Sequence, residues 1–150
     1  MLNLRAAIAV SVCILGSATA LWADSYQCTF KTRHVEKGLM PATLRIDWPN
    51  YLKPAHITDT ITEANGLRNI FAEVPIENAK RVTFSWKLEQ IFVPNLSAIV
   101  NTRSRGRVNV RYRATVFPKS GKVVLSAAPT VRYVSLSSAV RADGHCKVIK

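Results

Sequence analysis

At 150 residues, 48% hydrophobic and 20% charged, the chain holds enough material for one domain around one core. Its net charge of +12 is unevenly spread: residues 24–102 carry nine Lys/Arg against eight Asp/Glu, whereas residues 103–150 carry eleven against Asp143 alone. That asymmetry points to an anionic polymer, lipid surface or acidic partner, and no apolar run approaches the roughly twenty residues of a membrane-spanning helix.

Residues 1–23 read as a signal peptide, with Arg5 in a short basic region, an apolar run over residues 6–15 and small residues after it. Cleavage is expected after Ala23, or after Ala20, where Ala18 and Ala20 give a small-x-small pattern. The protein is therefore expected to be exported, to the periplasm of a Gram-negative cell or otherwise secreted, with a single β domain over residues 24–150. Cys13 leaves with the signal. Cys28 and Cys146 remain near the two ends of the mature chain, and in an oxidising compartment they are expected to form a disulfide.

The mature chain then proceeds as short alternating runs separated by turn residues. Residues 26–31 put Tyr26, Cys28 and Phe30 on one face, before Gly38 and Pro41 break the run. Residues 43–48 set Leu44, Ile46 and Trp48 against Thr43, Arg45 and Asp47. Pro49 and Pro54 bracket a loop that includes Tyr51. Residues 56–62 alternate more weakly, because Asp59 interrupts the apolar face. Asn65-Gly66 is a hairpin turn signal, and residues 68–74 would be the returning strand, limited by Pro75. Residues 81–88 carry Val82, Phe84, Trp86 and Leu88 on one side. This is the most aromatic strand and the one expected at the centre of the core. Residues 91–93 stay apolar up to Pro94, and residues 95–104 are mixed, a loop or a single helical turn. Asn95-Leu96-Ser97 matches a glycosylation acceptor, relevant only in a host that glycosylates secreted chains.

Residues 105–117 show the clearest alternation. Val108, Val110, Tyr112, Ala114 and Val116 point one way, and Arg105, Arg107, Asn109, Arg111 and Arg113 the other. At about 3.3 Å per residue the four arginines span roughly 26 Å, a stripe of cations. Pro118–Gly121 is a four-residue hairpin loop into residues 122–127, and pairing Phe117 with Lys122 sets Thr115 opposite Val124 and Arg113 opposite Ser126. Pro129 is expected to separate this strand from residues 131–137, and Asp143-Gly144 to precede a short final run, residues 146–149.

Eight or nine short strands at such spacings specify an all-β fold, a small antiparallel up-and-down barrel or, alternatively, a β-sandwich. The terminal cysteines favour the barrel, where first and last strands are neighbours and a bond between them closes the sheet.

The arginine stripe is the sharpest candidate site, for anion binding. Guanidinium forks suit phosphate, sulfate or carboxylate, and no acid or lysine interrupts them. The bland reading is a solvated strand face that discourages aggregation. Single-stranded nucleic acid is disfavoured because Tyr112 faces the core and leaves no stacking platform. His34, His56 and His145 have no metal-site spacing, and no hydrolase, Walker or HExxH signature occurs, so no catalytic residue, metal or cofactor is assigned. The expected function is that of a non-enzymatic exported binding protein acting on an anionic envelope component or acidic partner. The alternative is a small-ligand barrel with a pocket lined by Trp48, Phe84 and Trp86, residues that would otherwise simply fill the core.

Overall fold

The computed structural model describes residues 24–31, 38–49, 53–93, 107–131, 134–135 and 139–149; residues 1–23, His34, Tyr51, Asn95 and Arg105 lie outside them. The described elements are β1 (Asp24–Phe30), β2 (Thr43–Trp48), β3 (Ala55–Asp59), α1 (Thr60–Ala64), β4 (Ile70–Glu77), β5 (Val82–Phe92), β6 (Arg107–Phe117), β7 (Lys122–Val131), β8 (Val134–Ser135) and β9 (Val140–Ile149). Consecutive strands from β1 to β7 pair antiparallel, β7 pairs with β9, and β9 returns to β1, giving a closed eight-stranded barrel. The dipeptide β8 pairs with the end of β7, on the edge that β9 occupies further along.

The alternation of side chains decides which face is inside. In β6, Val108, Val110, Tyr112, Ala114 and Val116 are all buried, whereas Arg107, Arg111 and Arg113 are exposed. A one-residue slip would bury the arginines instead, so the register is strongly specified. The same rule holds for Tyr26, Cys28 and Phe30 in β1, for Leu44, Ile46 and Trp48 in β2, and for Phe84, Trp86 and Leu88 in β5. An apolar interior with polar residues outward is the reverse of the pattern of a lipid-embedded barrel. Among the described residues no helix is long and apolar enough to cross a membrane.

Phe84 marks the axis. Strands β1 and β5 stand four places apart in either direction around the barrel. Nevertheless the rings of Tyr26 and Phe84 meet at a centroid distance of 6.0 Å, and Trp48 meets Phe84 edge-on at 5.6 Å. Side chains from opposite walls therefore fill the interior at this level. Trp86 stacks on Tyr112 at 5.3 Å, and the Tyr112 hydroxyl donates to the Leu39 carbonyl at 2.8 Å, tying the buried segment at Leu39 and Met40 to the far wall. Burial pushes the Tyr112 phenol well above its usual range.

At the seam between first and last strands, Cys28 and Cys146 are register partners with Cα atoms 3.9 Å apart and sulfurs at bonding distance, 1.98 Å. The hairpin of β6 and β7 has the register read from the sequence: Phe117 opposite Lys122, Thr115 opposite Val124, Arg113 opposite Ser126.

Five local expectations are corrected. Strand β3 stops at Asp59, where residues 56–62 predict a strand to Thr62. The Asp59 carboxylate accepts from Ile61 N at 2.7 Å and Thr62 N at 2.8 Å while Thr62 Oγ1 accepts from Asp59 N, a capping box that starts α1. Asn65-Gly66 accordingly ends this helix and is not a hairpin turn: Asn65 N donates to Ile61 O, and Gly66 has φ of 66°. Strand β4 runs through Pro75 to Glu77, because the register shifts by one residue between Glu73 and Ile76 and the proline falls in that bulge. Similarly β7 runs through Pro129, which lies between the last residue described as paired with β9, Ala127, and the first paired with β8, Thr130. Gly144 lies inside β9, where a Cβ would collide with Thr29 O of β1, so its presence reflects close backbone approach.

Candidate anion-binding face

Strand β6 presents Arg107, Arg111 and Arg113 outward, and its neighbours determine what surrounds them. Lys87 of β5 lies directly across from Arg111, and Ser85 from Arg113. On the other side Arg111 faces Ala128 and Arg113 faces Ser126, while Ser126 in turn faces Arg141 of β9. Arg113 and Arg141 are thus two strand spacings apart, roughly 10 Å, with a serine between them. Four cations on three strands, β5, β6 and β9, thus flank the small side chains of Ser85, Ser126 and Ala128.

These cations differ in how far they are already engaged. Lys87 Nζ pairs with Glu89 at 2.7 Å, which holds the Glu89 carboxyl below its usual range. Arg107 Nη1 donates to Gln90 O at 3.0 Å, next to a bulge where Gln90 adopts φ of 53° and its N–H is taken by Asn109 Oδ1. Arg111 and Arg113 make no hydrogen bond or ion pair among the described residues. Like charges directly across a ladder cost a few tenths of a kcal/mol to about 1 kcal/mol, so Lys87 opposite Arg111 is a local expense in stability that Glu89 only partly relieves. Elsewhere the same barrel does neutralise outward charge: Arg45 Nε reaches both Asp47 oxygens at 2.9 and 3.0 Å and lowers the Asp47 carboxyl.

The face is concave. A groove of about 620 Å³ runs along it, lined from strand to strand by Phe71, Glu73 and Pro75 of β4, Ser85 and Lys87 of β5, Arg111 and Arg113 of β6 and Ser126 of β7. Both serine hydroxyls lie against the carbonyls of β6, donating to Tyr112 O and Arg113 O at a long 3.4 Å. Phe71 is 56% exposed, with its ring against His56 at 5.6 Å.

The sequence-predicted residues are therefore divided. Arg107, Arg111 and Arg113 share one face; Arg105 lies outside the described residues. Trp48, Phe84 and Trp86 are 6%, 0% and 3% exposed and take part in the ring contacts of the interior. Trp86 Nε1 is a buried donor without a hydrogen-bond partner among the described residues. His56 is half-buried on β3 and His145 exposed within β9, and no three His, Cys, Asp or Glu side chains among the described residues come together as a metal site. The sequence reading missed Lys87, Phe71 and Glu73 as members of the face. Lys87 is outward by alternation, but its position opposite Arg111 depends on the β5–β6 register, which the intervening residues 93–106 do not encode locally. Phe71 follows Ile70, two adjacent apolar residues that leave the outward face undecided.

No protein-family model, curated protein or solved structure matches the chain.

Proposed function

We propose that the protein is an exported, non-enzymatic binding protein whose basic outer face holds an anionic partner, one that presents phosphate, sulfate or carboxylate groups in series. The observation that carries this reading is the pair Arg111 and Arg113, exposed, unengaged among the described residues and flanked by Lys87 and by small side chains. A face evolved for solubility alone has no need of neighbouring cations left without acids, because interspersed signs serve that purpose at lower repulsion. Export is supported by the signal-like residues 1–23 and by the facing cysteines, which suit an oxidising compartment.

The interior is the competing site. In favour of a small ligand is the indole N–H of Trp86, unpartnered among the described residues; against it, Tyr26 and Phe84 meet across the axis and leave no ligand-sized space between them. The surface is the better supported reading.

Binding of dextran sulfate by the mature protein tests it. Exposed charges are screened over about 8 Å at physiological ionic strength, so affinity is expected to fall steeply with added salt. Replacing Arg105, Arg107, Arg111 and Arg113 together by Gln is expected to weaken binding at least about tenfold, since each charge-assisted contact is worth more than about 1 kcal/mol. Undiminished binding by that variant would overturn the proposal.

A further inference from the structure

We infer that the occupant of the basic groove is an acidic polysaccharide strand, a chain of sugars carrying carboxylate or sulfate substituents. The inference rests on the anion-binding reading and narrows it, using the wall of the groove that carries no positive charge.

That wall consists of Phe71, Glu73 and Pro75, and none of the three serves a simple polyanion. Glu73 lies in register with Ser85, and Ser85 with Arg113, so the backbones of Glu73 and Arg113 are two strand spacings apart, roughly 10 Å. Among the described residues Glu73 makes no ion pair with Arg113 or with any other cation. An inorganic polyanion or nucleic acid backbone would meet a repelling carboxylate. An array of hydroxyl groups would instead find an acceptor there.

Phe71 supplies the second requirement. A phenylalanine that is 56% exposed beside a groove presents an apolar ring face, and the C–H face of a sugar ring is the apolar surface that fits it while its hydroxyls point sideways. Ser85 and Ser126 add hydroxyls to the lining. The arginine wall takes the anionic substituent, with fork geometry that matches carboxylate or sulfate. Aromatic face, hydroxyl acceptors and guanidinium groups thus line one concavity of about 620 Å³, within the range of about 300–1,000 Å³ typical of small-ligand sites. A bilayer surface presents its headgroups in a plane and reaches the rim of such a groove more readily than its floor.

The experiment compares three probes by calorimetry on the mature protein: an oligogalacturonate of about six sugars, inorganic polyphosphate, and vesicles containing phosphatidylglycerol. The oligogalacturonate is expected to bind. Phe71→Ala and Glu73→Gln are each expected to weaken it about fivefold or more while leaving polyphosphate binding unchanged or, for Glu73→Gln, strengthened. Arg111→Gln with Arg113→Gln should weaken every anion that binds. Both wall positions are exposed, so the variants are expected to keep the native melting temperature. Oligogalacturonate affinity that is indifferent to both wall variants overturns the inference and leaves the anion-binding reading intact. Binding of vesicles without binding of the oligosaccharide overturns it in the same way. Failure of all three probes to bind overturns both.

Discussion

Asp59 is 3% exposed, and its carboxylate holds two backbone N–H groups at the start of α1. Burial raises its pKa above the ordinary Asp value, with the two backbone donors pulling the other way. A carboxyl whose folded pKa exceeds its unfolded one gains a proton on folding, so its contribution to stability is present at acid pH and is lost as pH rises through the folded value. Asp59→Asn keeps a capping side chain and removes the titration. Its stability relative to the native protein is therefore expected to improve as pH is raised from about 3 to 7, which urea unfolding at the two pH values measures. Asp59→Ala, which lacks any cap, is expected to lose about 1 kcal/mol. An Asn variant whose difference from the native protein does not move with pH would mean that Asp59 titrates normally. This residue was legible in part: Asp59 and Thr62 have capping-box spacing, but Thr58, Thr60 and Thr62 alternate with Ile57 and Ile61 in a way that also suits a strand.

On the proposed function, strand β6 separates stability from binding by face. Val108 and Val110 are 2% and 0% exposed, so replacing each by Ala is expected to cost roughly 1–3 kcal/mol through lost packing and residual cavity. The outward Arg→Gln changes are expected to cost less than about 0.5 kcal/mol each. Thermal unfolding and dextran sulfate titration of both sets of variants check the division: valine variants melt earlier and bind when folded, arginine variants melt normally and bind weakly. A glutamine variant that fails to fold would mean that the arginines are paired within the protein. Gly144 of β9 gives a third element-level test. Its Cβ would meet Thr29 O and the Phe30 ring, so Gly144→Ala is expected to lose at least about 1–3 kcal/mol by overpacking at the β1–β9 junction, read from the urea midpoint. Strands β2, β5 and β6 were legible because their alternation is clean, and the β6–β7 register because a short loop fixes it. Pro75, Pro129 and Gly144 misled because each sits at an irregularity, a bulge, a break in pairing or a tight backbone approach, that only the partner strand defines.

At the scale of the molecule, closure by β1 against β9 leaves the barrel without a free long edge, and the Cys28–Cys146 bond fixes that closure covalently. The cysteines lie 118 positions apart, so on the chain-entropy account the bond contributes about 4–5 kcal/mol. Reduction is expected to lower the melting temperature accordingly, while two free thiols titrated in the denatured, unreduced protein would remove the bond altogether. That the fold would close was inferable from two cysteines placed in the first and last predicted strands. Which outward residues would cluster was not, because the face spans four strands whose registers are set by the whole sheet. The same seam brings Ser25 opposite Ile149, so the start of β1 and the end of β9 are related as the two arms of a hairpin whose turn was never made. A circular permutant that runs from residue 149 through a short glycine-containing turn into residue 24, with new termini in the turn between β4 and β5, should therefore form the same barrel. In that molecule the bond would close a ring of only about ten residues, and reducing it should cost about 2 kcal/mol less than in the native order.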